Sequence, residues 1–199
     1  MLITELKNTE VLASQLTGKV FVINCHGCKE IRFPEAEANE FQKTLCKTGS
    51  VTTEYICNPD NLKVQLNKHA AALEEADVIA VFSCGVGVQT VAEMADMSVF
   101  AAANSLNYTG HHGMALTKKA CDACAQCYLT MTGGICPVVD CSKSLLNGQC
   151  GGAKNGKCEV SPDKDCAWEK IQQRLSAQGR LNELTSRPVQ LRDYSKVSV

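Results

Sequence analysis

The chain has 199 residues, 45% of them hydrophobic, and a formal net charge of −1 at pH 7. This length allows one or two domains with an ordinary hydrophobic core. The near-neutral charge does not indicate nucleic acid or a membrane surface as a partner. No apolar run approaches the roughly 20 residues of a transmembrane helix. The N-terminal sequence has no apolar segment of the signal-peptide type, so we expect a cytoplasmic protein whose cysteines are not paired in disulfides.

Strand and helix patterns alternate along the first 110 residues. Short runs rich in β-branched residues predict strands, and segments with apolar residues at helical spacing predict helices. The strands are expected at 18–25, 50–57, 77–84 and 98–103, and the helices at 34–48, 60–76 and 87–96. Gly49 is expected to end the first of these helices. The alternation predicts right-handed βαβ units and an α/β fold in which helices flank a parallel sheet, of the flavodoxin or Rossmann type.

Four cysteines of this part fall at or just beyond predicted strand ends. Cys25 ends the first strand and Cys28 follows it, while Cys57 and Cys84 end the second and third strands. Parallel strands end at one edge of the sheet, which is where α/β folds place their binding sites. We therefore expect one metal centre here, with [4Fe–4S] as the first choice and zinc as the second. The alternative is that these cysteines are small buried apolar residues, which is the role we expect for Cys46 inside a helix.

Eight of the thirteen cysteines lie in one 46-residue stretch. It opens with C-x2-C-x2-C, the spacing by which bacterial ferredoxins hold three corners of a [4Fe–4S] cluster. Two clusters are predicted: Cys121, Cys124 and Cys127 bind one, and the remaining five supply its fourth ligand and the second cluster. Those five are Cys136, Cys141, Cys150, Cys158 and Cys166. Structural zinc is the alternative, although zinc sites usually consist of two CxxC pairs separated by a dozen or more residues.

The patterns divide the chain into three parts. Residues 1–108 form the α/β domain, 109–175 a loop-rich iron–sulfur domain, and 176–199 a polar tail that lies along this chain or along a partner. A helix is expected at 165–175, with Trp168, Ile171 and Leu175 on one face. His111 and His112 are expected to be exposed loop residues. No catalytic constellation of side chains stands out.

Two segments resemble a known family. L-L-N-G-Q-C-G-G-A-K-N-G-K-C-E-V at 145–160 and D-K-D-C-A-W at 163–168 resemble the methylenetetrahydrofolate reductase C-terminal domain family. That family includes the small iron–sulfur subunit of methylenetetrahydrofolate reductases from acetogenic and other anaerobic bacteria. The segments G-G-I-C-P at 133–137, S-C-G-V-G-V-Q-T at 83–90 and R-D-Y-S-K at 192–196 are similar to it too, so the resemblance extends over nearly the whole chain.

The resemblance implies a partner and a role. The partner is a folate-binding flavoprotein with a TIM barrel, and FAD or FMN belongs to that subunit only. This chain would carry electrons to or from the flavin, as a subunit of an oxidoreductase that is not catalytic alone. The implied setting is one-carbon metabolism in an anaerobe, within the Wood–Ljungdahl pathway, with further electron-transfer proteins as additional candidate partners.

Two other functions remain open. In one, the cysteines hold zinc and the chain is a scaffold that links the flavoprotein to other redox partners. In the other, the chain is an electron carrier like the small subunit of hydrogenases, an analogy based on architecture alone.

Overall fold

The computed structural model describes residues 2–26, 28–29, 31–106, 114–116 and 119–197. His111, His112 and the predicted boundary between residues 108 and 109 lie outside these ranges. The strands are β1 (Leu2–Leu6), β2 (Val20–Cys25), β3 (Ile31–Arg32), β4 (Lys47–Thr53), β5 (Val78–Phe82), β6 (Ser98–Ala101), β7 (Ala103–Leu106), β8 (Met114–Leu116) and β9 (Lys119–Cys121). The helices are α1 (Thr9–Gln15), α2 (Glu35–Gln42), α3 (Pro59–Lys68), α4 (Ala70–Glu74), α5 (Gly85–Met94), α6 (Pro137–Asp140), α7 (Ala167–Ala177) and α8 (Glu183–Ser186).

Four parallel strands form the main sheet, in the order β4-β2-β5-β6. The predicted α/β fold with a parallel sheet is confirmed. Counted along the chain, this is the 2-1-3-4 order with which flavodoxin-like sheets begin. The order reverses between the neighbouring strands β2 and β5. In open α/β sheets, ligands bind beyond the carboxyl ends of the strands at such a reversal.

Helices cover both faces of this sheet. Phe21 and Ile23 of β2 pack in a core with residues of α3 and α5, whereas Val20 and Val22 pack on the other face with residues of α1 and α2. These four side chains are fully buried. Burial on both faces explains why β2 and β5 appear in the sequence as continuous apolar runs rather than alternating ones.

A second, three-stranded sheet was not predicted from the sequence. Its order is β3-β1-β7, with β1 parallel to β3 and antiparallel to β7. These strands have two to five residues, too few for a clear periodicity. The sheet matters for the cysteines because β7 holds their loop: the Ala125 N–H donates to the Ser105 carbonyl at 2.9 Å, and Leu106 forms a β-bridge with Cys124.

Three predictions about the first half were wrong in detail. The helix expected over 34–48 ends at Gln42, and Gly49 lies inside β4 instead of ending a helix. A Cβ at Gly49 would stand 3.0 Å from both the Phe21 ring and the Ala72 methyl, so glycine allows close packing there. The helix expected over 60–76 breaks at His69 into α3 and α4. Cys46 is an exposed residue between α2 and β4, not a core residue.

The second half has one substantial helix. In α7 the side chains of Trp168, Ile171 and Leu175 are buried together, as predicted, and the Trp168 indole N–H donates to the Leu145 carbonyl at 2.9 Å. No helix in the described part of the chain has the length and hydropathy of a membrane span.

Candidate metal centres

The fold separates twelve cysteines into three groups of four, and leaves out only Cys46. The N-terminal group is Cys25, Cys28, Cys57 and Cys84. The central group is Cys121, Cys124, Cys127 and Cys136, which line one cavity. The C-terminal group is Cys141, Cys150, Cys158 and Cys166, which line another.

The N-terminal group lies where the strand order of the main sheet reverses. Cys25 is the last residue of β2, and Cys84 follows β5 as the N-cap of α5. The sequence predicts that Cys57 ends a strand, but the residue lies in the turn between β4 and α3. Burial raises the pKa of Cys57, and the nearby sulfurs of Cys25 and Cys28 raise it further. The structure brings the four cysteines near one another, one of them from a turn, and a metal centre at this group stays a prediction.

Two features of this group oppose the effect of burial on the pKa of its thiols. Burial raises the pKa of Cys84 to about 12, but the backbone N–H groups of Gly87 and Val86 at the start of α5 oppose that shift. Burial also raises the pKa of Cys25, and the Ser83 hydroxyl is among the groups that lower it. Ser83 is buried, and its hydroxyl makes no hydrogen bond within the described residues. An unpaired buried hydroxyl beside a sulfur suits a site that holds a charged group.

The central group is shaped by an unusual loop. Ala123 and Ala125, on either side of Cys124, adopt left-handed backbone conformations with φ of 48° and 58°. Such conformations cost an alanine about 1–2 kcal/mol each. The second sheet holds the loop in place, since the Cys127 N–H donates to the Asn104 side-chain oxygen at 2.9 Å. This strain, stored between closely spaced cysteines, is typical of a functional site.

Cys136 completes the central group from a separate segment. It is the N-cap of α6, with Pro137 at the first helical position. Gly134, two residues earlier, has a φ of +84°, and a Cβ there would collide with the Ala92 methyl. Burial raises the pKa of Cys136 and raises that of Cys121 to about 11. Both sulfurs are thus shielded from water, and metal binding would have to displace their protons.

Two cations flank this group. The Lys7 ammonium donates to the Cys127 carbonyl at 3.1 Å, and burial lowers the pKa of Lys7 while the sulfurs of Cys127 and Cys124 oppose that shift. Burial raises the pKa of Cys124, and the charge of Arg192 is among the influences that lower it. No local pattern indicates either cation, because both lie more than 60 residues from the cysteines that they approach.

The N-terminal and central groups are neighbours. Cys84 and Cys121 pack in the same buried cluster with Val86 and Ala123. The Ser105 hydroxyl accepts the Gly85 N–H at 3.1 Å, and the same hydroxyl opposes the effect of burial on the pKa of Cys121. The Ser105 side chain therefore connects the start of α5, just after Cys84, to Cys121 of the central group.

Gly85→Ala should disturb the central group selectively. A Cβ at Gly85 would stand 2.9 Å from the Cys121 sulfur, closer than real Cβ contacts allow. We expect reduced metal content at the central group and an unchanged thermal unfolding of the main sheet, because alanine is the better helix former in α5. Metal analysis together with circular dichroism checks this. Full metal content in the variant would contradict the close approach of α5 to Cys121.

The C-terminal group lies closer to the surface. Cys166 is the N-cap of α7, and its N–H donates to the Gly156 carbonyl at 2.7 Å. Cys158 is held by its own N–H, which donates to the Lys164 carbonyl at 2.8 Å. The Ser142 hydroxyl and nearby backbone N–H groups lower the pKa of Cys158. Trp168 lines the cavity and separates it from the core of α7.

The polar tail lies along this chain, which was one of its two predicted positions. Arg180 donates to the Thr130 carbonyl at 2.9 Å, and Arg187 to the Met131 carbonyl at 3.1 Å. Further on, Gln190 and Asn147 exchange two hydrogen bonds of 2.7 and 2.9 Å. Residues 180–193 therefore form a strap across the central part of the cysteine region.

No three His, Cys, Asp or Glu side chains, among those that the structure describes, converge tightly enough to hold a single metal ion. In the central and C-terminal groups the four cysteines line a cavity. The donor sets are composed of thiols, which suit soft metals and iron–sulfur clusters.

Comparisons with known proteins relate the second half of the chain to one family. Neither the curated proteins nor the solved structures gave a match to this chain. A family model described as "Methylene-tetrahydrofolate reductase C terminal" matches residues 100–195. The matched range includes the central and C-terminal groups and nearly all of the tail, but not the N-terminal group. Over residues 100–195, the chain is similar to the methylene-tetrahydrofolate reductase C-terminal family.

Proposed function

We propose that this chain is the iron–sulfur electron-transfer subunit of a flavin-dependent methylenetetrahydrofolate reductase. The observation that supports it best is the division of twelve cysteines into three groups of four. Four cysteines are the usual ligand set of a [4Fe–4S] cluster. Such clusters carry single electrons, which suits supply to a flavin that accepts two.

The spacing of the cysteines favours a cluster over zinc in the central group. In a four-cysteine zinc site all thiolates converge on one ion at about 2.3 Å. In a four-iron cluster each thiolate binds its own iron, so the thiolates surround a larger body. Cys121, Cys124 and Cys127 have the C-x2-C-x2-C spacing by which bacterial ferredoxins hold three corners of such a cluster, and Cys136 lines the same cavity.

The protein's own groups would hold charge and exclude water. One cysteine of each group is the N-cap of a helix: Cys84, Cys136 and Cys166. Backbone N–H groups in the first turn of a helix stabilise a thiolate there. Burial of Cys84, Cys121 and Cys136 keeps water from their sulfurs. The N-terminal group would hold a third [4Fe–4S] cluster or zinc.

The spatial order of the groups suits transfer across the subunit. The central group lies beside the N-terminal group through Cys84 and Cys121, and connects to the C-terminal group through α6, which separates Cys136 from Cys141. Electrons that cross the subunit would therefore pass through the central group, between the other two. We propose a folate-binding flavoprotein as the partner, with further electron-transfer proteins as candidates for the other end.

Anaerobic purification of the chain, co-expressed with a folate-binding flavoprotein of the same reductase, tests the function. We expect a stable complex with a broad visible absorption band and at least about eight irons per chain, as two four-iron clusters require. Dithionite should bleach that band, and oxidised flavin should restore it. A colourless complex containing zinc and fewer than about six irons per chain would contradict the proposal.

That outcome would favour the alternative, a zinc-binding scaffold that links the flavoprotein to other redox partners. One observation favours zinc at the C-terminal group in particular. Its cysteines lie around two isolated β-bridges, Lys154 to Lys157 and Lys157 to Asp165, and small zinc-binding modules also use short strands and turns. Separate measurements of iron, sulfide and zinc distinguish a mixed complex from a purely iron–sulfur one.

A further inference from the structure

The tail contacts the chain on both sides of Cys124, a cysteine of the central group. The Arg192 side chain pairs with Asp122, Nη2 to Oδ2 at 2.8 Å, and the Asp193 N–H donates to the Gln126 side-chain oxygen at 2.8 Å. Asp122 and Gln126 stand two residues before and two residues after Cys124. Consecutive tail residues are thus fixed on both sides of this cysteine, although they follow it by almost 70 residues.

The Arg192 guanidinium is only partly satisfied in this position. Its side chain is 16% exposed, and its Cζ lies 5.0 Å from the centre of the Tyr194 ring. Its Nε is buried and has no hydrogen-bond partner within the described residues. A buried N–H on a charged group is costly when it is left unpaired. Such a donor next to a cysteine indicates an acceptor that the bare protein does not supply.

We propose that Arg192 donates its Nε–H to the sulfur shell of a cluster held by the central group, at Cys124, and so raises the reduction potential of that cluster. This inference rests on the proposed function. Reduction adds one negative charge to a cluster, and a cation with a hydrogen-bond donor stabilises the reduced form more than the oxidised form. The tail is then part of the redox site as well as a structural strap.

The other charged groups around Cys124 limit the size of the effect. Lys7 approaches from the N-terminal segment, and Asp122 partly neutralises Arg192. The Tyr128 hydroxyl is turned to Gln126, to whose side-chain oxygen it donates at 3.1 Å. All three remain when Arg192 is changed, so we expect a partial shift in potential and not the loss of the cluster.

The test compares Arg192→Gln, Arg192→Lys and the control Lys196→Gln in the anaerobic complex. Lys196→Gln removes the same charge at an exposed position of the same tail. Redox titration followed by electron paramagnetic resonance gives the potential of the signal that Cys127→Ser abolishes. For Arg192→Gln we expect that signal to be about tenfold harder to reduce, which is about 59 mV for a one-electron couple.

Arg192→Lys, which keeps the charge but lacks the Nε–H, should give a smaller shift in the same direction, and Lys196→Gln none. Equal potentials in the wild type and both Arg192 variants would overturn the inference, as would a shift of the same size in Lys196→Gln. If Arg192→Gln fails to assemble the centre, Arg192→Lys decides: a lowered potential supports the inference and an unchanged one overturns it. Absence of iron from the wild-type central group would overturn the proposed function, and this inference with it.

Discussion

Cys127→Ser should remove one complete centre, about four irons per chain, and leave the signals of the other centres intact. Cys127 lines the central cavity, and a [4Fe–4S] cluster is held by four thiolates, one for each iron. Cys136→Ser should abolish the same signal, because Cys136 lines the same cavity. Cys141→Ser should abolish a different signal, although Cys141 lies only five residues after Cys136. Iron analysis and electron paramagnetic resonance of the anaerobic proteins check this.

Cys46→Ser is the matched control, since Cys46 is exposed and belongs to none of the three groups. It should keep all iron and every signal. Cys84→Ser should remove only the centre at the edge of the main sheet. The grouping would be wrong if Cys136→Ser and Cys141→Ser removed the same signal, or if Cys84→Ser left the metal content unchanged.

Removing the metal should unfold residues 121–166 while the main sheet remains folded. Few large apolar side chains are buried in this stretch; they are Tyr128, Leu129, Val138 and Leu146. Metal binding supplies much of the folding free energy of such segments, roughly 10–16 kcal/mol for a structural zinc ion in a small module. Chelation under anaerobic conditions should abolish hydrogen-exchange protection in the cysteine loops, as measured by mass spectrometry.

The main sheet is the internal control for that experiment. Helices cover β2 and β5 on both faces, and the core on the α1 and α2 side contains no residue of 121–166. Their amide protection should change little when metal is removed. Unchanged protection of residues 121–166 in the metal-free chain would show that the loops fold by their own packing, which would contradict a structural role for the metal.

The sequence predicted the part of the fold that local patterns encode. Apolar runs located all four strands of the main sheet, and their alternation with helices indicated that the strands are parallel. The amphipathic pattern of α7 identified its three buried residues. The strand ends located Cys25 and Cys84 at one edge, because parallel strands share their direction.

Local patterns failed where packing over long sequence separations decides the structure. Gly49 carries a helix-stop signal, yet it lies in β4, where it pairs with Phe21 of β2 and where a Cβ would stand only 3.0 Å from the Phe21 ring. Cys46 looks like part of an apolar helix face, yet α2 ends before it and leaves it exposed. The sheet of β1, β3 and β7 joins residues up to a hundred positions apart, and its strands are too short to show a period.

By itself the sequence determined how many thiols there are, their close spacing in the first loop and the direction of the strands, since these depend on neighbouring residues. Only the tertiary structure decided how the eight thiols of the second half divide between two cavities. The short helix α6 carries the chain from one cavity to the next, so Cys136 and Cys141 belong to different groups. Packing of α5 against the cysteine loop brings Cys84 next to Cys121, and the tail returns to place Arg192 beside Cys124. These contacts close long loops, and their free energy comes from the burial and hydrogen bonding of the folded chain as a whole, which no short stretch of sequence contains.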